Sequence, residues 1–303
     1  MNHPQSTGTN LLSLAERAVN WARARRRPGG ERLAEAQAAI VICNVLLELV
    51  AHIQQHRGMS SAWLAGDPGF AARLVDKRAE IEPLFDRLQQ LTIETGGSVP
   101  PCLAPAEVAR WRQHWSLLVA ELADSSIEKT LAIHSKLIAV LLGWLGATSE
   151  ERIVQPASNV LPEGLVRNFT HRLPQLAETL GQARATGSAV AAQGRCPAVL
   201  RVRLMFLASR AESLTTQACA ADRRGEFAAQ QVRSLTLMLR THMLGSPEIG
   251  VNAETYFAEA TKAIDSVFAW LCECGRQLET AMAQAGCGLD EWKNSADVPH
   301  GKE

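Results

Sequence analysis

The sequence predicts an all-α fold, an up-and-down helical bundle, on three observations. The chain is rich in Ala and Leu, has one Tyr and 5% aromatic residues, and contains few β-branched runs, a composition that favours helix over sheet. Apolar residues recur at three- and four-residue steps, as in Ile42, Val45, Leu46, Leu49 and Ile53, which is the spacing of one buried helix face. Nothing reads as the strand–helix alternation that builds a parallel sheet. With 303 residues, 47% of them hydrophobic, the chain is long enough for one large domain or two small ones.

Residues 1–30 read as an extension. Leu11, Leu12, Leu14 and Trp21 supply an apolar side, and Arg23, Arg25, Arg26 and Arg27 form a basic cluster at a helix end. That cluster either complements the helix C-terminus or docks RNA or an acidic partner. After Pro28-Gly29-Gly30 comes the long helix with the Ile42 to Ile53 stripe. Asp67-Pro68 reads as N-cap and first position of the next helix, which Pro83 should kink. Gly96 to Pro105 ends it, Trp111 and Trp115 share a face of the following helix, and Ser125 to Glu128 is a capping box. Thr148 to Gly164 has the longest non-helical composition and joins two halves. Breaks at Gly194 to Pro197 and Gly245 to Pro247 divide the second half, so that about eight or nine helices fit. The main domain is expected over 31–288, with halves of about 31–150 and 164–288, and 289–303 as a tail.

An internal echo supports the division. A shift of 127 positions aligns Leu46 with Leu173, Leu49 with Leu176, Gln55 with Gln182, Arg57 with Arg184, Ser61 with Ser188 and Ala62 with Ala189. The shared Gln-x-Arg-x-x-x-Ser-Ala core stands in two apolar stripes. Arg57 follows Ile53 by four residues and Leu46 by eleven; Arg184 follows Leu180 by four and Leu173 by eleven. Each guanidinium therefore faces the core, where it stays charged and requires an anion. Small residues beside both leave room for one. One reading pairs them internally, with Glu48, Glu178, Asp265 or another acid, or lets them snorkel to the surface. The other is a site between the halves for a small planar oxyanion, which suits the bidentate fork of arginine. Two guanidiniums about 5 Å apart repel by roughly 3 kcal/mol at an effective dielectric of 20. A bound anion would reverse that repulsion and draw the two helices together.

Other functions are disfavoured. Thirty-one basic and thirty-one acidic residues cancel, so no overall field attracts nucleic acid or anionic membrane. Met1 to Asn10 lacks the order of a secretory signal. The longest apolar run, Leu137 to Ala147, is about half of the roughly 20 residues a span needs, and Ala36 to Val50 is interrupted by Gln37, Asn44 and Glu48. No membrane span is predicted. Seven cysteines without CxxC pairs suit thiols in a reducing cytoplasm. Cys272 and Cys274 face different ways on a helix, and His52 and His56 lack the glutamate of a zinc hydrolase, so neither a metal nor another cofactor is expected. No phosphate loop, nucleophile elbow or carboxylate pair emerges, and no enzymatic activity is expected.

The segment from Gln54 to Leu64, Gln-Gln-His-Arg-Gly-Met-Ser-Ser-Ala-Trp-Leu, resembles the ERGLSAGYL-type signature of the NIT domain, the nitrate- and nitrite-sensing helical domain of bacterial receptors and antiterminators. Gly181-Gln182-Ala183-Arg184-Ala185 is similar to its GQERA segment, and Ala253 to Asp265 to its WF..T..ID segment. The resemblance implies two four-helix units with a nitrate or nitrite pocket between them, lined by arginines. Arg57 and Arg184 match two motif arginines. A third is expected at Arg240, with Arg233 on the same face as the alternative. Three departures stand out: His56 replaces Glu or Arg and would contribute charge only when protonated, Ala183 replaces Glu, and Tyr256-Phe257 replaces Trp-Phe. Because only Cys287 to Glu303 follows the last helix, the expectation is a cytoplasmic sensor that signals to a separate regulatory protein or through self-association as a homodimer. The rival is a helical scaffold or adaptor with a degenerate pocket.

Overall fold

Nine α-helical segments, joined by short turns and π-helical bends, make up residues 29–64, 66, 68–95, 99–154, 161–245 and 249–296, which the computed structural model describes. The basic cluster Arg23 to Arg27 lies outside them, as does Asp67. No strand occurs among the described residues.

Helix α1, Gly29–Leu64, continues for 36 residues because no proline interrupts it, and Glu31 stands in its first turn, where the helix dipole favours an acid. Helix α2, Phe70–Glu94, runs on through Pro83. Helix α3, Pro105–Ala120, starts on a proline, whose missing N–H would be unpaired there in any case. Helix α4, Ile127–Thr148, is capped one residue later than the sequence suggests: the side chain of Ser126 accepts from the Lys129 amide, while Ser125 donates to the Glu121 carbonyl. The expected non-helical junction is also shorter. Ser149–Ile153 prolongs α4 as a π-helical turn, because the buried Ser149 and Ile153 pack into the core.

Helix α5, Glu163–Arg167, passes through a π-helical bend at Asn168–Arg172 into α6, Leu173–Gln193. Gly194 ends α6 with φ 62°, a left-handed position that glycine adopts without steric cost. Helix α7 is Ala198–Ala221, α8 is Glu226–Met238 with a π-helical extension to Leu244, and α9 is the 44-residue Ala253–Ala296.

Packing divides these helices into two four-helix units. In the first, α1 and α3 each pack on α2 and α4; in the second, α6 and α8 each pack on α7 and α9. The units meet where α1 lies against α9 and α6. Residues aligned by the internal echo lie on α1 and α6. Leu46 and Leu49 of α1 and Leu173 and Leu176 of α6 are completely buried, each contributing about 1.5–3 kcal/mol of burial. Trp115, Trp144 and Trp270 are buried in the core, whereas Trp111, which shares the face of Trp115, is only partly buried.

Two stretches, Glu31–Leu64 and Ile127–Ile153, are long and apolar enough to cross a membrane by length and composition. The first exceeds the sequence estimate because Gln37, Asn44 and Glu48 do not break the helix. In this fold it is a core helix, packed on α2, α4, α6 and α9.

Candidate anion-binding site

Arg57 and Arg184 face each other across the α1–α6 contact. Both are buried, with 1% and 3% exposure. The stripes position them, and glycine makes room: a Cβ on Gly181 of α6 would stand 2.9 Å from Nη2 of Arg57, and one on Gly58 of α1 would stand 3.4 Å from the Phe257 ring and 3.9 Å from Nη2 of Arg184. Each arginine reaches over to the other helix. Arg57 donates through Nη1 and Nη2 to the two carboxylate oxygens of Glu178, at 3.1 and 3.3 Å, and through Nη1 to Ser135 of α4 at 3.1 Å. Arg184 donates to the Gln54 carbonyl at 3.2 Å and to Thr261 of α9 at 3.1 Å. Its guanidinium carbon also lies 5.1 Å from the centre of the Phe257 ring.

The two cations are thus in different situations. Arg57 has the internal carboxylate that one reading of the sequence supplies. Arg184 has neutral partners: a hydroxyl, a carbonyl and an aromatic face. Burial, and after it the charge of Arg57, pull its pKa down to about 10, while Asp265 and Glu178 act in the opposite direction. Two buried guanidiniums and one buried carboxylate leave one positive charge in excess. Two buried polar atoms here, Nε of Arg57 and Oε1 of Gln54, find no hydrogen-bond partner among the described residues.

Arg240 does not join them. It is on the π-helical end of α8, its side chain 44% exposed, paired with Glu212 at 2.8 Å and also bonded to Ser209. Arg233 is likewise at the surface and paired with Glu226. The resemblance asks only for an arginine in the helix before the third segment, and both candidates stand on the face of α8 that pairs with surface acids.

His56 points away from the arginine pair, into the first unit. Its Nδ1 is 2.8 Å from Nε2 of His134 on α4, and the His134 Nδ1 is 2.7 Å from the Thr130 carbonyl. The carbonyl can only accept, so His134 carries its proton on Nδ1 and His56 donates to the other nitrogen. Burial and the neighbouring His134 bring the His56 pKa down to about 2, and burial brings that of His134 to about 4. The expectation that His56 ties the site's charge to pH is therefore corrected: both imidazoles are neutral. His52 turns instead to Lys77 and Glu80 of α2.

The three motif-like segments converge here. Gln54 and Arg57 come from the first, Gly181 and Arg184 from the second, and Phe257 and Thr261 from the third. A family model described as nitrate and nitrite sensing matches residues 48–285, most of the chain. The chain belongs to the NIT family. Its fold is similar to that of the NasR transcription antiterminator, with a TM-score of 0.63 at 17% identity over 91% of this chain and 76% of that one. No curated protein matches the sequence. Two departures from the family pattern touch in this NIT member: the Tyr256 hydroxyl donates to the Ala183 carbonyl at 2.8 Å. Sequence reading covered Phe257 and Thr261 only as part of the third segment, without a role, and missed Ser135, an ordinary helix residue until the fold brings it to Arg57. His134 carried a signal, a polar residue in the stripe with Leu137, Ile138 and Leu141.

Proposed function

We propose that this NIT protein is a cytoplasmic regulator that binds nitrate or nitrite where α1, α6 and α9 meet, with residues 31–288 as the sensing unit, and reports occupancy to a separate regulatory protein. The observation that carries the reading is Arg184: a buried cation with no carboxylate within ion-pair distance among the described residues, next to a second buried arginine. Its fork offers a planar oxyanion paired donors, Thr261 adds a hydroxyl, and the Phe257 face orients the guanidinium. The excess positive charge favours a monoanion. Arg240 is outside this proposal because Glu212 already neutralises it at the surface.

Thermal unfolding in nitrate, nitrite, chloride and sulfate tests it. Ligand bound only by the folded chain raises the melting temperature, by about 2.7 kcal/mol of stability at a hundred times the dissociation constant. Nitrate or nitrite should raise it where chloride and sulfate do not, and Arg184→Ala should remove the effect. No shift at ligand concentrations far above the physiological range counts against the sensor. The Arg57–Glu178 ion pair favours the second reading, a helical scaffold that binds nothing, and that reading predicts equal melting in all four salts.

A further inference from the structure

Glu178 occupies the face of Arg57 that an oxyanion would use. Its carboxylate accepts from both terminal nitrogens of the fork, and Gln54 at 2.8 Å and Gln182 at 3.0 Å hold it in place. Its exposure is 8%. A carboxylate and nitrate present the same planar pair of oxygens to a guanidinium, so the two are alternatives for one set of donors. Glu178 belongs to α6, while Arg57 and Gln54 belong to α1, so whatever occupies the fork sets one of the ties between these two helices, beside the bond from Arg184 to the Gln54 carbonyl.

We propose that Glu178 is a built-in competitor for the oxyanion. Resting on the sensor reading above, this inference adds how that site is regulated. Ligand gains the Arg57 fork only by displacing the Glu178 carboxylate. The strength of the Glu178 contacts therefore sets the concentration at which the protein responds, and displacement converts occupancy into a change at the α1–α6 contact. Gln54 and Gln182 act as positioning residues. The orphaned Nε of Arg57 and Oε1 of Gln54 fit this picture, because the carboxylate leaves part of the polar lining unused.

The test compares nitrate and nitrite titrations of the full chain with those of Glu178→Gln and Gln182→Met, with circular dichroism melts to verify that each variant is folded. Removing the competing charge should tighten binding by about tenfold or more, the worth of a charge-assisted hydrogen bond. Loosening the carboxylate through Gln182→Met should tighten it less. A purely structural glutamate would give weaker or unchanged binding when replaced. Unchanged or weaker binding in Glu178→Gln, with a wild type that binds, overturns the competitor and leaves the sensor standing. Binding by Glu178→Gln alone supports the competitor. Should Glu178→Gln fail to fold, Gln182→Met decides, tighter binding supporting the proposal and equal binding overturning it. No binding by any of the three proteins overturns the competitor and the sensor together.

Discussion

At Arg57 and Arg184, one residue type in two equivalent stripe positions has two different energetic roles. Arg57 neutralises a buried carboxylate. Replacing it by Met leaves Glu178 charged and without its cation, and should cost about 3–5 kcal/mol of stability. Arg184 has no such partner, so Arg184→Met removes an uncompensated buried cation and should change stability by less than about 1 kcal/mol in either direction. Urea unfolding of the two variants measures both. Equal losses would mean that Arg184 is paired as firmly as Arg57. The burial of both arginines was legible from spacing to Leu46, Ile53, Leu173 and Leu180. Their partners were legible only in part, since Glu178 was one of several acids in range, and Thr261 and Ser135 lie far away in the chain.

Between elements, the α1–α4 contact contains the His56–His134 pair, and its pH response follows from the direction of their shifts. Both pKa values are lower in the folded chain, about 2 and about 4, than the 6.5 of an unfolded histidine. The stability they contribute is complete above pH 6.5 and is lost as pH falls below it, since the unfolded chain then binds protons that the folded chain does not. Each histidine should cost about 1.4 kcal/mol per pH unit between its folded and unfolded values. Thermal melts at pH 7 and pH 5 should therefore show a loss that shrinks in His134→Gln; an equal loss in that variant would place the proton uptake elsewhere. The α1–α6 contact makes a different demand, for close approach. Gly181→Ala puts a methyl 2.9 Å from the Arg57 fork and 3.1 Å from Gln54, and should destabilise by about 1–3 kcal/mol, readable as a lower urea midpoint. Helix identity and order were plain in the sequence, whereas exact ends were not. The Ser126 cap and the π-helical turns at Ser149–Ile153 and Leu239–Leu244 arise from packing around those residues, which outweighs local composition.

For the whole molecule, two four-helix units share α1 as a common wall, and the candidate site lies where both units and α9 meet. The 127-residue echo in the sequence corresponds to the like core spacing of α1 and α6, one in each four-helix unit. The unequal fate of the two arginines was not legible there, because it depends on Glu178, an acid that pairs with only one of them. A ligand seated at the candidate site should slow amide exchange in the turns of α1, α6 and α9 that contain Arg57, Arg184 and Thr261. The most direct measurement is calorimetric titration of nitrate and nitrite into the full chain and into Arg184→Ala. A saturable heat at one anion per chain in the first, absent from the second, is the predicted result. No heat from the full chain, or the same heat from the variant, would contradict it.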